Sequence, residues 1–389
     1  MHSPAECGDR ARKRTLTIAS RQLPLATGGL AAYQRQLAVE LIRRENMAVE
    51  FLAVEPPGGA SPEQTTLPAK GMVLKGCGNR ALGMRLASRP IFHPLLQAWI
   101  SLRFRQVASG DRARGGIHFV GTGWDFAGFG FLDLARRRNA RFTIWPAVHS
   151  GQWGDDKIDL RLYRQADAVI CQSRHEAGHL VRLGLDAEKI VRCQLPPMCL
   201  PGREGGRLRE QLGIGKRPAV LFLGRRDSSK GYPVLLKAWE AVLCSHPEAV
   251  LLVSGTGGEE YGTLADGLPG DSLRDLGIAD EETKAQALAA CDIFCLPTAH
   301  ESFGIVFGEA WSYGKPVICG PAPASREWIE DGKTGLHVDQ SPHAIAEALC
   351  RLLEHPELAV QMGAEGKKYQ ESQLTWEKTL ASHLTAFGM

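Results

Sequence analysis

The sequence predicts an α/β protein of two Rossmann-like domains, and three observations carry that expectation. Short, nearly all-apolar runs of strand type alternate with longer segments of helical spacing, the pattern that builds βαβ units around a parallel sheet. The alternation stops at a Pro-, Gly- and Arg-rich stretch, LPPMCLPGREGGR at 195–207, and then restarts. The length of 389 residues exceeds the ~100 to 200 of one domain, enough for two cores.

In chain order, the first domain opens on the strand TLTIAS and the amphipathic helix GLAAYQRQLAVELIRR. It continues through the strand runs VEFLAVE, GGIHFVG, RFTIWPAV, DAVICQS and KIVRCQL. The second domain repeats the pattern with PAVLFLG, AVLLVSG, DIFCLP, KPVICG and TGLHV. After His343 two or three helical segments follow, the last being TWEKTLASHLTAF, with no strand behind it. These readings divide the chain into a first domain over 1–195, a linker over 196–216, a second domain over 217–372, and a terminal helix over 373–389 that returns toward the first domain.

Composition excludes several function classes. The 46 Lys and Arg against 43 Asp and Glu give a net charge of +3 without a dominant basic block, so nucleic acid is not expected as a partner. Ten cysteines without a C-x-x-C pair, and no apolar leader after Met1, argue for a reducing cytoplasm and against a disulfide framework. Cys291 and Cys295 lie in or beside the DIFCLP strand and are read as small buried apolar residues. No run reaches the ~18 to 20 apolar residues of a membrane span. The segment RPIFHPLLQAWISLRFR, 89–105, is the one candidate for peripheral contact with a membrane surface, its competing reading being a core-facing helix with a polar back.

Two motifs compete for the chemistry and are set aside. His175, Glu176 and His179 spell H-E-x-x-H, a zinc-hydrolase spacing, but Ser173 followed by Glu176 reads as a capping box and no third ligand is evident. GTGWDF and GTGGEE begin like dinucleotide fingerprints yet lack the third glycine, so a nicotinamide enzyme is not expected. No D-x-D or clustered carboxylates suggest a metal site, and none is assigned.

The strongest signal is PTAHESFGIVFGEA, 297–310. Glu301 falls after a strand, at the edge where open α/β sheets bind ligands, and the helix starting near Gly304 offers unpaired amides and a positive dipole end. Arg225 and Lys230, in the loop after PAVLFLG, bring cations to the same edge. Cations and amides for a diphosphate, with carboxylates for hydroxyls, are what a sugar nucleotide requires. Glu301 is assigned to sugar hydroxyls and Glu309 to the ribose diol.

Glu301 and Glu309 form an E-x(7)-E pair, and with Gly28-Gly29, GRRDSSKG, LGIADEETKAQALAACDIFCLP, GKPVICG, Glu327 and DGKTGLHV in this order the chain resembles the retaining glycosyltransferases of family four. The resemblance covers most of the chain and implies the two-domain GT-B fold, with the lobes facing each other across a cleft. It further implies that Arg225 and Lys230 hold the diphosphate, Glu301 the transferred sugar and Glu309 the ribose, while Leu276 and Gly277 line the base. Gly28 and Gly29 approach the reacting centre and His149 matches the histidine beside the donor sugar. Ser302, Phe303, Gly304 and Ile305 complete the donor site, and the role of His300 is left open. The implied reaction is metal-independent transfer of a hexose-type sugar from a nucleotide diphosphate sugar to a glycan, lipid-linked or small-molecule acceptor, by same-face attack. A GT-B epimerase and a non-catalytic sugar-nucleotide binder are the other classes considered. Departures from the family pattern are Thr298, Trp311 and the PAPAS turn before Glu327.

Overall fold

The computed structural model describes residues 14–22, 24, 29–55, 70–73, 94–95, 98, 102, 115–199, 201–202 and 205–389. Gly28 and most of the 89–105 segment lie outside the described residues.

Two parallel sheets form. The first contains β1 (Thr15–Gln22), β2 (Ala48–Glu55), β3 (Lys70–Val73), β4 (Gly116–Val120), β5 (Phe142–Trp145), β6 (Ala168–Cys171) and β7 (Ile190–Arg192), in the spatial order β3-β2-β1-β4-β5-β6-β7. The helices accompanying it are α1 (Gly29–Glu45), α2 (Ala127–Arg137), α3 (Lys157–Tyr163) and α4 (Arg174–Arg182). The second contains β8 (Ala219–Leu223), β9 (Val250–Ser254), β10 (Leu273–Asp275), β11 (Ile293–Leu296), β12 (Val317–Cys319) and β13 (Gly335–His337), in the order β10-β9-β8-β11-β12-β13. Its helices are α5 (Gly205–Gln211), α6 (Tyr232–Ser245), α7 (Gly262–Asp266), α8 (Glu281–Ala290), α9 (Ile305–Ser312), α10 (Pro323–Arg326), α11 (Pro342–Glu354), α12 (Pro356–Gln373) and α13 (Trp376–Phe387).

The strands read as apolar runs because they are covered on both faces, as parallel sheets are. Every residue of β8, β9, β11 and β12 is buried. Two strands, β3 and β10, escaped the sequence reading. Each lies at a sheet edge, and KGMV and LRD contain no continuous apolar run. Helix starts follow local chemistry: Asp280 accepts from Thr283 N–H at 2.7 Å ahead of α8, and Ser341 caps α11 with Pro342 at its first position.

Backbone contacts divide the chain into two compact units, Met1–Pro146 with Lys157–Val169 and Ala386–Met389, and Ala147–Asp156 with Ile170–Thr385. In the first unit the chain end is fastened by Arg141 Nε, which donates to the Ala386 carbonyl at 2.7 Å. The second unit holds the whole second sheet and also the turn that carries His149. Among the described residues no helix is long and apolar enough to cross a membrane. The described cysteines are free thiols, with Cys291 and Cys295 buried and Cys291 pushed up by burial to about 12.

Candidate active site

In an open parallel sheet, the strand order reverses at one place, and the two loops leaving the strands there splay apart to leave a crevice. In the second sheet that place lies between β8 and β11, paired in parallel through Val220 with Ile293 and Leu221 with Phe294. The segments leaving them are Gly224–Gly231 and Pro297–Gly304, the two loops singled out by sequence. Backbone bonds hold them together: Ala299 N–H donates to the Ser229 carbonyl at 2.8 Å. Gly231 makes the close approach feasible, since at its φ of +77° a Cβ would lie 2.4 Å from the Pro297 carbonyl oxygen.

Within the first loop Asp227 acts as a hub. Its Oδ1 accepts from Ser229 Oγ at 2.6 Å and from Lys230 N–H at 3.0 Å, and its Oδ2 lies 3.5 Å from Arg225 Nη1. Lys230 is thereby turned toward the second loop, where its ammonium meets Glu301 Oε1 and donates to the His300 carbonyl at 3.2 Å. The side chains of Lys230 and Glu301 are each 11% exposed, against 60% for Arg225, so one cation is set deep and one at the rim.

His149 stands in the same electrostatic neighbourhood. Burial lowers its imidazole below the usual range, Glu301 opposes that, and Lys230, Arg225 and His300 reinforce it, so the ring is neutral at neutral pH. Gln152, on the same turn, bonds His300 Nε2 at 2.7 Å. The structure therefore gathers Arg225, Lys230, Glu301 and His149, although their numbers span much of the chain. Gly29 opens α1 in the other unit.

The helix end is α9. Gly304 caps it at φ +86°, where a Cβ would come 2.8 Å from Phe307, so glycine is required both for conformation and for space. Ser302 and Ile305 are half-buried. Phe303 is 1% exposed and stacks on Trp328 with centroids 4.7 Å apart, so its side chain serves packing.

Glu309 belongs to a second cluster. It is 1% exposed, and Oε1 accepts from Lys284 Nζ at 3.0 Å and from Cys199 N–H at 3.1 Å, while Oε2 has no partner. Burial pushes its carboxyl up and Lys284 opposes this; the lysine in turn is held above its usual range, Glu309 and Glu281 outweighing its own burial. Lys284 was not singled out from sequence. The available signal was the capped start of α8, which puts Lys284 in the first turn.

Arg226 was also missed. It is 9% exposed and forms a two-pronged pair with Asp275, Nη1 to Oδ2 at 2.6 Å. Asp275 Oδ1 accepts from Gly277 N–H at 2.7 Å, so Arg226 fixes the turn of Leu276 and Gly277. Leu276 is half-buried, whereas Gly277 and Ile278, the latter at 63%, are exposed beside it.

The H-E-x-x-H segment has a different use. Glu176 is fully covered, with Oε1 accepting from Val148 N–H at 2.7 Å and Oε2 from Gln172 N–H at 2.6 Å, and its own N–H bonds Ser173 Oγ at 3.1 Å. Ser173 caps α4 as expected, its backbone N–H also bonds the Glu176 carboxylate, and the same carboxylate ties α4 to the residue preceding His149. His179 Nε2 faces Asp155 at 2.8 Å. Among the described residues no group of three or more His, Cys, Asp and Glu side chains is placed to hold a metal ion.

Burial raises Glu176 to about 7, against the lowering effect of its backbone bonds. Its folded pKa exceeds the unfolded one, so the associated stability is complete below the unfolded value and is lost as pH rises through about 7. Urea denaturation of wild type and Glu176→Gln at pH 5 and pH 8 is expected to differ in slope with pH, the glutamate losing about 2.5 kcal/mol relative to the glutamine across that window. Parallel pH dependences would remove Glu176 as a titrating group.

Residues 206–369, from α5 into α12, match the family described as glycosyl transferases, group 1. The matched segment holds the whole second sheet. The chain is 26% identical over 393 residues to the GDP-mannose-dependent alpha-(1-6)-phosphatidylinositol monomannoside mannosyltransferase of Mycolicibacterium smegmatis, covering 93% of this chain and 95% of that one. Among solved structures it resembles sucrose-phosphate synthase from Thermosynechococcus elongatus, with a TM-score of 0.76 at 20% identity over 97% of this chain and 98% of that one. It also resembles Anabaena HepE crystallised with UDP-glucose, with a TM-score of 0.73 at 17% identity over 96% and 100%. The chain has the GT-B fold class, two Rossmann-like parallel-sheet domains.

Proposed function

We propose that this chain is a glycosyl transferase that moves a hexose-type sugar from a nucleotide diphosphate sugar to a hydroxyl of a glycan or lipid-linked glycan, with retention and without a metal. The observation that carries the reading is the Lys230–Glu301 ion pair at the strand-order reversal, with Arg225 and His149 in electrostatic reach. The relative's name supports a guanosine diphosphate mannose donor and a phosphatidylinositol-borne acceptor. An acceptor of that kind goes with a cytoplasmic enzyme working at a membrane surface, and the 89–105 segment is the proposed contact.

The reading assigns each group a step. Cleavage of the anomeric bond places negative charge on the departing diphosphate and positive charge on the sugar. Lys230, Arg225 and the amides opening α9 stabilise that developing charge, and cations already in place do the work a metal would otherwise do. Glu301 accepts from sugar hydroxyls, and neutral His149 lies against the sugar. The unpartnered Oε2 of Glu309 is the oxygen left for a ribose hydroxyl, which requires it to be uncovered. The acceptor hydroxyl attacks from the face the diphosphate leaves, forming the new glycosidic bond, and its proton passes to the leaving phosphate.

A thermal-shift screen of UDP-, GDP-, ADP- and TDP-sugars tests the donor, because a ligand bound only to the folded chain raises Tm by mass action. At 100 times Kd the expected stabilisation is about 2.7 kcal/mol. The product's anomeric configuration then tests the stereochemistry, and inversion ends the retaining assignment. Interconversion of the donor without any acceptor favours an epimerase instead.

A further inference from the structure

A cavity of about 440 Å³ lies apart from the Lys230–Glu301 cluster and shares no lining residue with it. Its walls come from the end of β6 (Gln172, Ser173), from β7 and its exit (Arg192, Gln194), from Glu327 and Trp328 after α10, and from α12 and α13. All of these belong to one compact unit. The volume is of the size that takes a monosaccharide with a small substituent.

The lining charges are unequal. Arg174, Arg192 and Lys378 face a single carboxylate, Glu327. That carboxylate is already engaged, because Oε1 accepts from Arg174 N–H at 2.9 Å and Oε2 from His175 N–H at 3.0 Å. Among the described residues Arg192 has neither a hydrogen bond nor an ion pair from its side chain, and Lys378 Nζ reaches only the neutral Gln373 amide at 2.7 Å. The cavity thus holds cations in excess of its anion.

A second feature is independent of charge. Gln172 is 4% exposed, and its side-chain carbonyl Oε1 has no hydrogen-bond partner. A buried acceptor left unmade is unfavourable and is satisfied by a donor such as a hydroxyl. Tyr369, whose OH accepts from Gln194 Nε2 at 3.3 Å, and Trp328 add aromatic rings in near-parallel planes, 25° apart. Cations, a hydroxyl-seeking acceptor and flat aromatic walls together describe a phosphorylated polyol.

We propose that this cavity is a second ligand site of the chain and binds a polyol phosphate, free or as a lipid headgroup. Trp328 links it to the candidate active site, since its Nε1 donates to the Phe303 carbonyl at 3.1 Å, one residue before Gly304.

Calorimetric titration of the full chain tests the proposal with glucose 6-phosphate, glucose and inorganic phosphate as probes. Saturable binding of glucose 6-phosphate at one site is expected, at least 10-fold tighter than glucose. Arg192→Glu and Lys378→Glu each change an exposed residue, and each is expected to weaken it at least 10-fold with the melting curve unchanged. Gln172→Leu weakens glucose 6-phosphate more than phosphate. Lys230→Ala leaves the binding intact, so this site stands or falls separately from the proposed transfer reaction. Co-sedimentation with phosphatidylinositol vesicles, but not phosphatidylcholine vesicles, and its loss in Arg192→Glu, assigns the headgroup source; glucose 6-phosphate binding alone assigns the free one. Absence of saturable heat at millimolar probe, indifference to both charge reversals, or loss of binding in Lys230→Ala overturns the proposal.

Discussion

Replacing Lys230 with alanine is expected to lower turnover at saturating donor by roughly 10²- to 10³-fold, the loss found when one preorganised donor to a developing anion is removed. The reason is positional. Lys230 is the deeper of the two loop cations, held by Asp227 from behind and by Glu301 in front, so its ammonium needs little rearrangement as the diphosphate departs. Arg225, at 60% exposure, is more hydrated and its loss is expected to fall more on donor KM than on turnover. Steady-state kinetics with the donor chosen by the thermal-shift screen separates the two. Unchanged turnover in Lys230→Ala, with the melting curve preserved, would remove this lysine from the leaving-group role.

The second large effect concerns stability. Lys284→Met leaves Glu309 fully covered with only the Cys199 N–H beside it, and an uncompensated buried charge of this kind costs about 3–5 kcal/mol. The loss is expected to depend on pH with a definite sign. Without Lys284, burial holds the Glu309 carboxyl still further above its unfolded value, so the folded variant keeps a proton that the unfolded chain has released. Stability is then fully present below the unfolded pKa and declines as pH rises through the folded one. Denaturant titrations from pH 5 to pH 8 check this, with a growing gap between wild type and Lys284→Met as pH rises. The double variant Lys284→Met/Glu309→Leu, which removes both charges, is expected to regain most of the lost stability. A Lys284→Met chain as stable as wild type at pH 8 would mean that Glu309 is uncharged or hydrated.

These partnerships separate what the sequence conveyed from what it did not. The strands β8, β9 and β11 and the helix α1 were legible because apolar runs and helical spacing are local patterns, set by which faces must be buried. The Gly304 start of α9 was legible too, since only a few neighbouring residues determine it. Glu309 was placed on α9 by the same reading, but its burial was not, because that depends on α8 and on the chain around Cys199. Arg226, next to Arg225, was given no role from sequence, and its pairing with Asp275 came only with the fold. Glu176 was read as part of a helix cap, which it is, but its further use in fastening the turn before His149 was not legible.

Sequence alone therefore determined the α/β class, the repeated parallel-sheet pattern and the identity of the two loops that leave β8 and β11, all consequences of short-range periodicity and turn chemistry. Tertiary structure alone decided which charges are free and which are spent on one another. A charge's partner is chosen by loops that meet only after the sheet has formed, and burial then fixes how strongly the pair is held.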